Sequence, residues 1–129
     1  MIMKTTTKPT AIIADDVFAI RILLRRTLET VGCEIIAMVD NGAEAIAKIV
    51  SLKPDLVFID IDMPGMSGLD VLDRLKAKNI DVFKVIVSGH NTIDNVKQAI
   101  AGGANGFIVK PYSVSKMNQI MEKYNASLK

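Results

Sequence analysis

The sequence predicts an α/β fold in which a single parallel β-sheet is covered by helices on both faces, a doubly wound arrangement. Short apolar runs alternate five times with segments of helical periodicity along the 129 residues. The connections between successive strands are too long for hairpins, and parallel strands need such crossovers. At about 150 residues per domain the length allows one domain. Half of the residues are hydrophobic, which is enough for a packed core.

The first strand and helix follow a polar lead. The run Ala11–Ala14 is apolar throughout, as expected of a strand buried on both faces, and it stops abruptly at Asp15 and Asp16. From Val17 onward, apolar residues recur at helical spacing with charged residues on the opposite side. Gly32 is placed to end this helix.

The remaining elements continue the same alternation. Asn41 and Thr92 are suited to cap helices, because their side chains can accept hydrogen bonds from the first-turn N–H groups. The predicted ranges are, in order, strand 34–39, helix 43–52, strand 56–59, helix 69–78, strand 82–87, a helix after Thr92, strand 107–109 and a last helix from 114 to at least 124.

Charged and hydroxyl residues stand where the predicted strands end. Asp15 and Asp16 follow the first strand, Asp60 the third, Ser88 the fourth and Lys110 the fifth. Taken singly, each has an ordinary explanation as a cap, a turn residue or a solvated side chain. Ligands of open parallel sheets bind outside the carboxyl ends of the strands, however. The combination therefore predicts a functional site at that edge.

The three aspartates at this edge predict a metal ion. Carboxylates that converge within about 4 Å repel one another by about 4 kcal/mol per pair at an effective dielectric constant of about 20. A hard divalent cation would offset that repulsion. Oxygen ligands with no His or Cys among them favour Mg²⁺, so we expect Mg²⁺ at Asp15, Asp16 and Asp60.

The ordered set of strand-end motifs resembles the receiver domain of two-component response regulators. The motifs are Asp15-Asp16, the segment 60–68 (DIDMPGMSG), Ser88-Gly89 and the segment 107–111 (FIVKP), and residues 41–45 (NGAEA) match the family's usual opening of the second helix. The resemblance extends from about Pro9 to the last helix. It implies the flavodoxin-like strand order 2-1-3-4-5 with five helices, and a stand-alone, chemotaxis-regulator-like receiver over residues 1–129 without an output domain.

The resemblance also implies a role for each residue of the site. Asp60 would be the phosphoacceptor, Lys110 and Ser88 would contact phosphoryl oxygens, and the Lys110–Pro111 peptide bond would be cis. Asp60 would also be a ligand of Mg²⁺. The other metal contacts would come from Asp16, from the main-chain carbonyl of Asp62 and, largely through water, from Asp15.

Four further features follow from the same resemblance. Asp62 and His90 would flank the path of water to the acyl phosphate and modulate its lifetime. Ser88 and Phe107 would move together as the switch. The signal would leave through the face formed by the fourth helix, the fifth strand and the fifth helix. Exposed contacts expected on that face are Lys97, Tyr112 and Lys116.

The implied function is a phosphorylation-dependent signalling switch, not an enzyme, with chemistry limited to its own phosphorylation and dephosphorylation. The donor would be a histidine kinase or a histidine phosphotransfer protein, the target a downstream protein, and phosphorylation-dependent dimerisation stays open. The net charge of +2 gives no indication of nucleic-acid binding. No apolar run approaches the ~20 residues of a membrane span and no signal peptide is recognisable, which predicts a cytoplasmic protein without membrane contact.

Two other classes of protein compete with this interpretation. Asp60 and Asp62 also fit the D-x-D motif of small haloacid-dehalogenase-like phosphatases, although that motif normally follows the first strand. A flavodoxin-like cofactor binder would need a phosphate loop after the first strand, and none is recognisable. Turnover of a stable phosphomonoester and an absorption spectrum would identify these alternatives.

Overall fold

The computed structural model describes residues 8–89 and 92–128. Within them, five strands and five helices alternate in the chain, and the strands form one parallel sheet in the order β2-β1-β3-β4-β5. The predicted fold class and strand order are confirmed. The elements are β1 Thr10–Ala14, α1 Phe18–Thr30, β2 Glu34–Val39, α2 Gly42–Leu52, β3 Leu56–Asp60, α3 Gly68–Ala77, β4 Phe83–Ser88, α4 Ile93–Ala101, β5 Gly106–Val109 and α5 Val114–Ser127.

Two apolar layers hold the sheet between its helices. One layer joins the sheet to α2, α3 and α4 through buried residues such as Ile49, Leu72 and Ala99. The other joins it to α1 and α5 through residues such as Leu28 and Met117. Each fully buried leucine, isoleucine or methionine side chain stabilises the fold by about 1.5–3 kcal/mol. The central strands are therefore fixed from both sides, and so are the residues at their ends.

Capping and pairing explain small differences from the predicted element bounds. Helix α2 begins at Gly42 because the Asn41 side chain caps it by accepting from the Glu44 N–H. Helix α3 begins at Gly68, one residue early, because Ser67 forms a reciprocal capping box with Asp70. Strand β4 begins one residue late, at Phe83, and extends to Ser88. None of the helices in the described part of the chain is both long and apolar enough to cross a bilayer.

Gly68 lets the chain fold back against the end of β3. Its N–H donates to the Ile61 carbonyl over 2.9 Å, and a Cβ at this position would overlap the main-chain oxygen of Asp60. We expect Gly68→Ala to lower the free energy of unfolding by about 2–3 kcal/mol, because backbone must move to admit the methyl group. Chemical denaturation measures the loss.

Gly89→Ala is the matched control for that substitution. A Cβ at Gly89 would meet no atom within 4 Å, so we expect a change below about 1 kcal/mol. Equal losses in the two variants would contradict the steric explanation for Gly68.

Candidate functional site

The sheet brings three carboxylates together where β1 and β3 end. Asp60 is the last residue of β3, and Asp15 and Asp16 directly follow the neighbouring strand β1. One carboxylate oxygen from each residue lies within 4.8 Å of the others. Asp15 and Asp60 are buried, with 1% and 5% of their surface exposed, whereas Asp16 is exposed. We call these three residues the acidic cluster.

The ammonium group of Lys110 lies between the two buried carboxylates. Its Nζ is 3.0 Å from Asp15 Oδ2 and 3.4 Å from Asp60 Oδ1. Lys110 follows β5, and its N–H donates to the Ser88 carbonyl over 2.7 Å, which attaches the loop after β5 to the end of β4. The peptide bond from Lys110 to Pro111 is cis. The carboxyl ends of β1, β3, β4 and β5 thus meet at one site.

Two contacts that the sequence did not reveal hold Asp15 in place. Its Oδ1 accepts from the Val17 N–H over 2.9 Å, and its main-chain oxygen accepts from Arg21 Nη1 over 2.6 Å. With Lys110 on Oδ2, both carboxylate oxygens of Asp15 have partners. The only sequence feature that could have indicated the Arg21 contact was the position of Arg21 on the polar side of α1. A solvated arginine would have the same position.

Burial raises the pKa of Asp60 from 3.8 to about 6. The Lys110 ammonium opposes this shift, the charge of Asp15 adds to it, and hydrogen bonds from the Asp62 backbone N–H and from Lys110 lower the pKa. One ammonium therefore does not offset the burial of two carboxylates. A further cation would do so, and three oxygen donors without His or Cys fit Mg²⁺.

The other predicted residues lie around this centre. Ser88 ends β4 and is fully buried, and Phe107 in β5 is half-buried against the layer formed with α2, α3 and α4. The Asp62 side chain is exposed two residues beyond Asp60. His90 lies outside the described residues.

Tyr112 was predicted to be an exposed contact, and this prediction is wrong. The residue is half-buried beside the layer that joins the sheet to α1 and α5, and its Oη is enclosed without a hydrogen-bond partner in the part of the chain that the structure describes. Burial raises its pKa to about 12, and the charge of Asp15 contributes. Lys97 and Lys116 are exposed, as expected.

A parallel sheet covered by helices on both faces, with buried carboxylates and a lysine where its strands end, defines an α/β domain with a polar site at the carboxyl edge of the sheet. Comparison with known proteins identifies its family. Residues 11–122 match the model of the response regulator receiver domain, and the chain belongs to this family.

Three similar proteins illustrate the relationship. The chemotaxis protein CheY of Listeria monocytogenes is 34% identical over 87% of this chain and 94% of its own length. A CheY-like receiver domain protein from Methanospirillum hungatei has a TM-score of 0.84 at 26% identity, over 95% of this chain and 98% of that one. A chain of the CheX–CheY–BeF3–Mg²⁺ complex from Borrelia burgdorferi has a TM-score of 0.87 at 26% identity, over 95% of this chain and 92% of that one.

Family membership establishes the kind of function. Receiver domains are phosphorylation-dependent signalling switches of two-component systems, they bind Mg²⁺ through acidic residues, and they interact with histidine kinases and downstream targets. This chain is such a switch. The comparisons do not support a haloacid-dehalogenase-like phosphatase.

Proposed function

We propose that Asp60 is the phosphoacceptor and that a histidine kinase or a histidine phosphotransfer protein supplies the phosphoryl group. The observation that carries this proposal is the placement of Asp60. Its carboxylate is 95% buried at a strand end, within reach of a lysine and of two further carboxylates. A group with these neighbours can be both a nucleophile and a ligand.

The reaction would proceed by attack of an Asp60 oxygen on phosphorus. The P–O bond to Asp60 forms, the P–N bond of the donor's phosphohistidine breaks, and the imidazole leaves with the electron pair of that bond. Lys110 Nζ, now shared between Asp15 and Asp60, would turn to a phosphoryl oxygen as negative charge accumulates there. Ser88, which is the last residue of the neighbouring strand β4, would donate to a second oxygen.

Mg²⁺ would be held at the acidic cluster by Asp16, Asp60 and the main-chain carbonyl of Asp62, with Asp15 acting largely through water. When bound, it neutralises charge on the incoming phosphoryl group. The CheX–CheY complex from Borrelia burgdorferi, which contains BeF3 and Mg²⁺, supports this assignment.

Intact-protein mass spectrometry tests the proposal. After incubation with acetyl phosphate and Mg²⁺, we expect a mass gain of one phosphoryl group per chain, and EDTA should prevent it. The same protein should not turn over p-nitrophenyl phosphate, a stable phosphomonoester. Sustained turnover without a labelled intermediate would favour an enzyme over a switch and would contradict the proposal.

The lifetime of the acyl phosphate depends on side chains beside the path of water. Asp62 is exposed two residues beyond the acceptor, where an anion can either repel hydroxide or position a water molecule. We expect Asp62→Asn to change the dephosphorylation rate by at least about threefold while phosphorylation still occurs. The decay of the labelled protein after removal of the donor measures this. Identical decay in the wild type and the variant would show that Asp62 is a bystander.

We further propose that the output face consists of α4, β5 and α5. Phe107 borders a cavity of about 250 Å³ between α4 and α5, so a change in its burial would alter the surface there. Ile93 and Ile100 of α4 are 75% and 66% exposed, which suits a protein partner. Phosphorylation-dependent dimerisation, the absence of nucleic-acid binding and the cytoplasmic location stay predictions.

A further inference from the structure

The oxygens of Asp15 accept three hydrogen bonds from described residues, and one of these bonds is expected to break during phosphorylation. The main-chain oxygen accepts from Arg21 Nη1 over 2.6 Å, and Oδ1 accepts from the Val17 N–H over 2.9 Å. Val17 directly precedes α1 and Arg21 lies within it, so neither has to move when a phosphoryl group arrives. The third bond joins Oδ2 to Lys110 Nζ over 3.0 Å.

The departure of Lys110 would leave Asp15 with an unpaired oxygen. In the proposed function, on which this inference rests, Lys110 Nζ turns to a phosphoryl oxygen. Asp15 is 1% exposed, so bulk water does not replace the ammonium group at Oδ2. A water molecule on Mg²⁺ would fill one of the two acceptor sites of Oδ2 and leave the other vacant. Because a buried anionic oxygen without its donor costs free energy, the phosphorylated state requires another donor there.

Tyr112 carries a donor that no group uses. Among the residues that the structure describes, its Oη is the one buried side-chain oxygen or nitrogen without a hydrogen-bond partner. Buried hydroxyl groups are nearly always bonded, because an unpaired one costs free energy. Burial raises the pKa of the phenol to about 12, so the group keeps its proton at neutral pH. The unmodified protein therefore holds an enclosed, unused donor.

Tyr112 and Asp15 lie on the same side of the sheet. Asp15 extends β1, since its N–H donates to a carbonyl of β2 over 3.1 Å. Side chains alternate along a strand, so Asp15 shares the face of Ala11 and Ile13, which belong to the layer formed with α1 and α5. Tyr112 packs against that layer and follows Lys110 by two residues. The charge of Asp15 acts on its phenol.

We propose that Tyr112 is a positioning residue of the phosphorylation site: when Lys110 Nζ turns to the phosphoryl group, Tyr112 Oη donates to Asp15 Oδ2 in its place. The hydroxyl acts on the reaction through Asp15 and does not touch the phosphoryl group. The exchange keeps the number of hydrogen bonds on Asp15 and gives the phenol a partner. It favours the phosphorylated state, because the hydroxyl is unpaired only in the unmodified one.

Replacing Lys110 with Met tests the proposal without a phosphoryl group. Methionine is an unbranched side chain without a donor, so Asp15 Oδ2 is unpaired from the outset and Tyr112 should already bond to it. In the Lys110→Met background, we expect Tyr112→Phe to raise the unfolding equilibrium constant about tenfold, which is about 1.4 kcal/mol. In the wild-type background, where the hydroxyl is unpaired, Tyr112→Phe should not raise it. Urea denaturation in EDTA measures all four proteins.

The difference between the two backgrounds distinguishes this role from a merely structural one. A hydroxyl that is bonded in the unmodified protein, to water or to another group, would contribute to stability in both backgrounds. Equal losses in the two backgrounds, or no loss in either, would therefore overturn the proposal. A loss confined to Lys110→Met supports it.

The affinity for beryllofluoride, a mimic of the phosphoryl group, is a second measurement that does not depend on the Lys110 variant. At saturating Mg²⁺, we expect Tyr112→Phe to weaken beryllofluoride binding about tenfold. Tyr124→Phe is the matched control, because it removes the same hydroxyl from a buried tyrosine of α5 at the edge where the strands begin. It should leave the affinity unchanged. Equal affinities of the wild type and Tyr112→Phe would overturn the proposal.

The ¹³Cζ resonances of the tyrosines report on the hydrogen bond itself. The chain has two tyrosines, and Tyr112→Phe assigns their signals. Beryllofluoride with Mg²⁺ should shift the Tyr112 signal and leave the Tyr124 signal in place. A Tyr112 signal that does not move, at concentrations that shift the amides adjoining Asp60, would overturn the proposal. If those amides do not respond either, the proposed function fails, and the Lys110→Met comparison decides the role of Tyr112 by itself.

Discussion

Replacing Asp60 with Asn is expected to abolish the uptake of phosphoryl groups from acetyl phosphate. The substitution keeps the shape of the side chain but removes the anionic nucleophile and one ligand of the acidic cluster. We expect labelling to fall by at least about a hundredfold relative to the wild type. Quantitative mass spectrometry at matched times measures both proteins in Mg²⁺.

Asp73→Asn is the control for Asp60→Asn, because it makes the same chemical change at an exposed position of α3. It should be labelled like the wild type. In EDTA, labelling of the wild type should also fall sharply, since the buried carboxylates repel the anionic donor. Equal labelling of Asp60→Asn, with or without Mg²⁺, would assign the phosphoryl group to another residue.

The second large effect concerns the pH dependence of stability without metal. The pKa of Asp60 is about 6 in the fold, against 3.8 as its ordinary value. Between these values the folded protein binds more protons than the unfolded chain does, so the free energy of unfolding falls as the pH rises. We expect a loss of about 2–3 kcal/mol between about pH 4 and 7. Urea denaturation in EDTA at several pH values measures it.

Asp60→Asn isolates the contribution of this carboxyl group. The variant lacks the titrating group. The unfolding free energy of the wild type minus that of the variant should therefore fall as the pH rises and level off above about pH 6. Adding Mg²⁺ at neutral pH should restore stability to the wild type more than to the variant. A difference that does not depend on pH would show that the pKa of Asp60 is not raised.

Local composition was sufficient to predict the elements of this fold. The apolar run of β3 is buried along its whole length, and the capping residues Asn41 and Thr92 accept the first-turn N–H groups of α2 and α4. These features depend on residues that are neighbours in the sequence, so the sequence is sufficient to predict them. The order of the strands depends on contacts between distant segments, and only the resemblance to a family supplied it.

The site was predictable in its members but not in its contacts. Strand ends identified Asp15, Asp60 and Lys110, because parallel strands place their carboxyl ends at one edge. The Val17 N–H and the Arg21 side chain that hold Asp15 could not be foreseen, since any helix start or solvated arginine looks the same in sequence. The buried hydroxyl of Tyr112 is a similar case, because a residue beside a loop can turn either way.

Mapping of ¹H–¹⁵N shifts with beryllofluoride and Mg²⁺ tests most directly whether chemistry at Asp60 changes the output face. Beryllofluoride mimics the phosphoryl group, and the Asp60→Asn variant controls for binding elsewhere. We predict shifts at Ser88, at Phe107 and along α4 and the start of α5, because a few kcal/mol of differential contact at the site suffice to shift a two-state element. Shifts confined to residues adjoining Asp60, with Phe107 and α4 unchanged, would contradict this account.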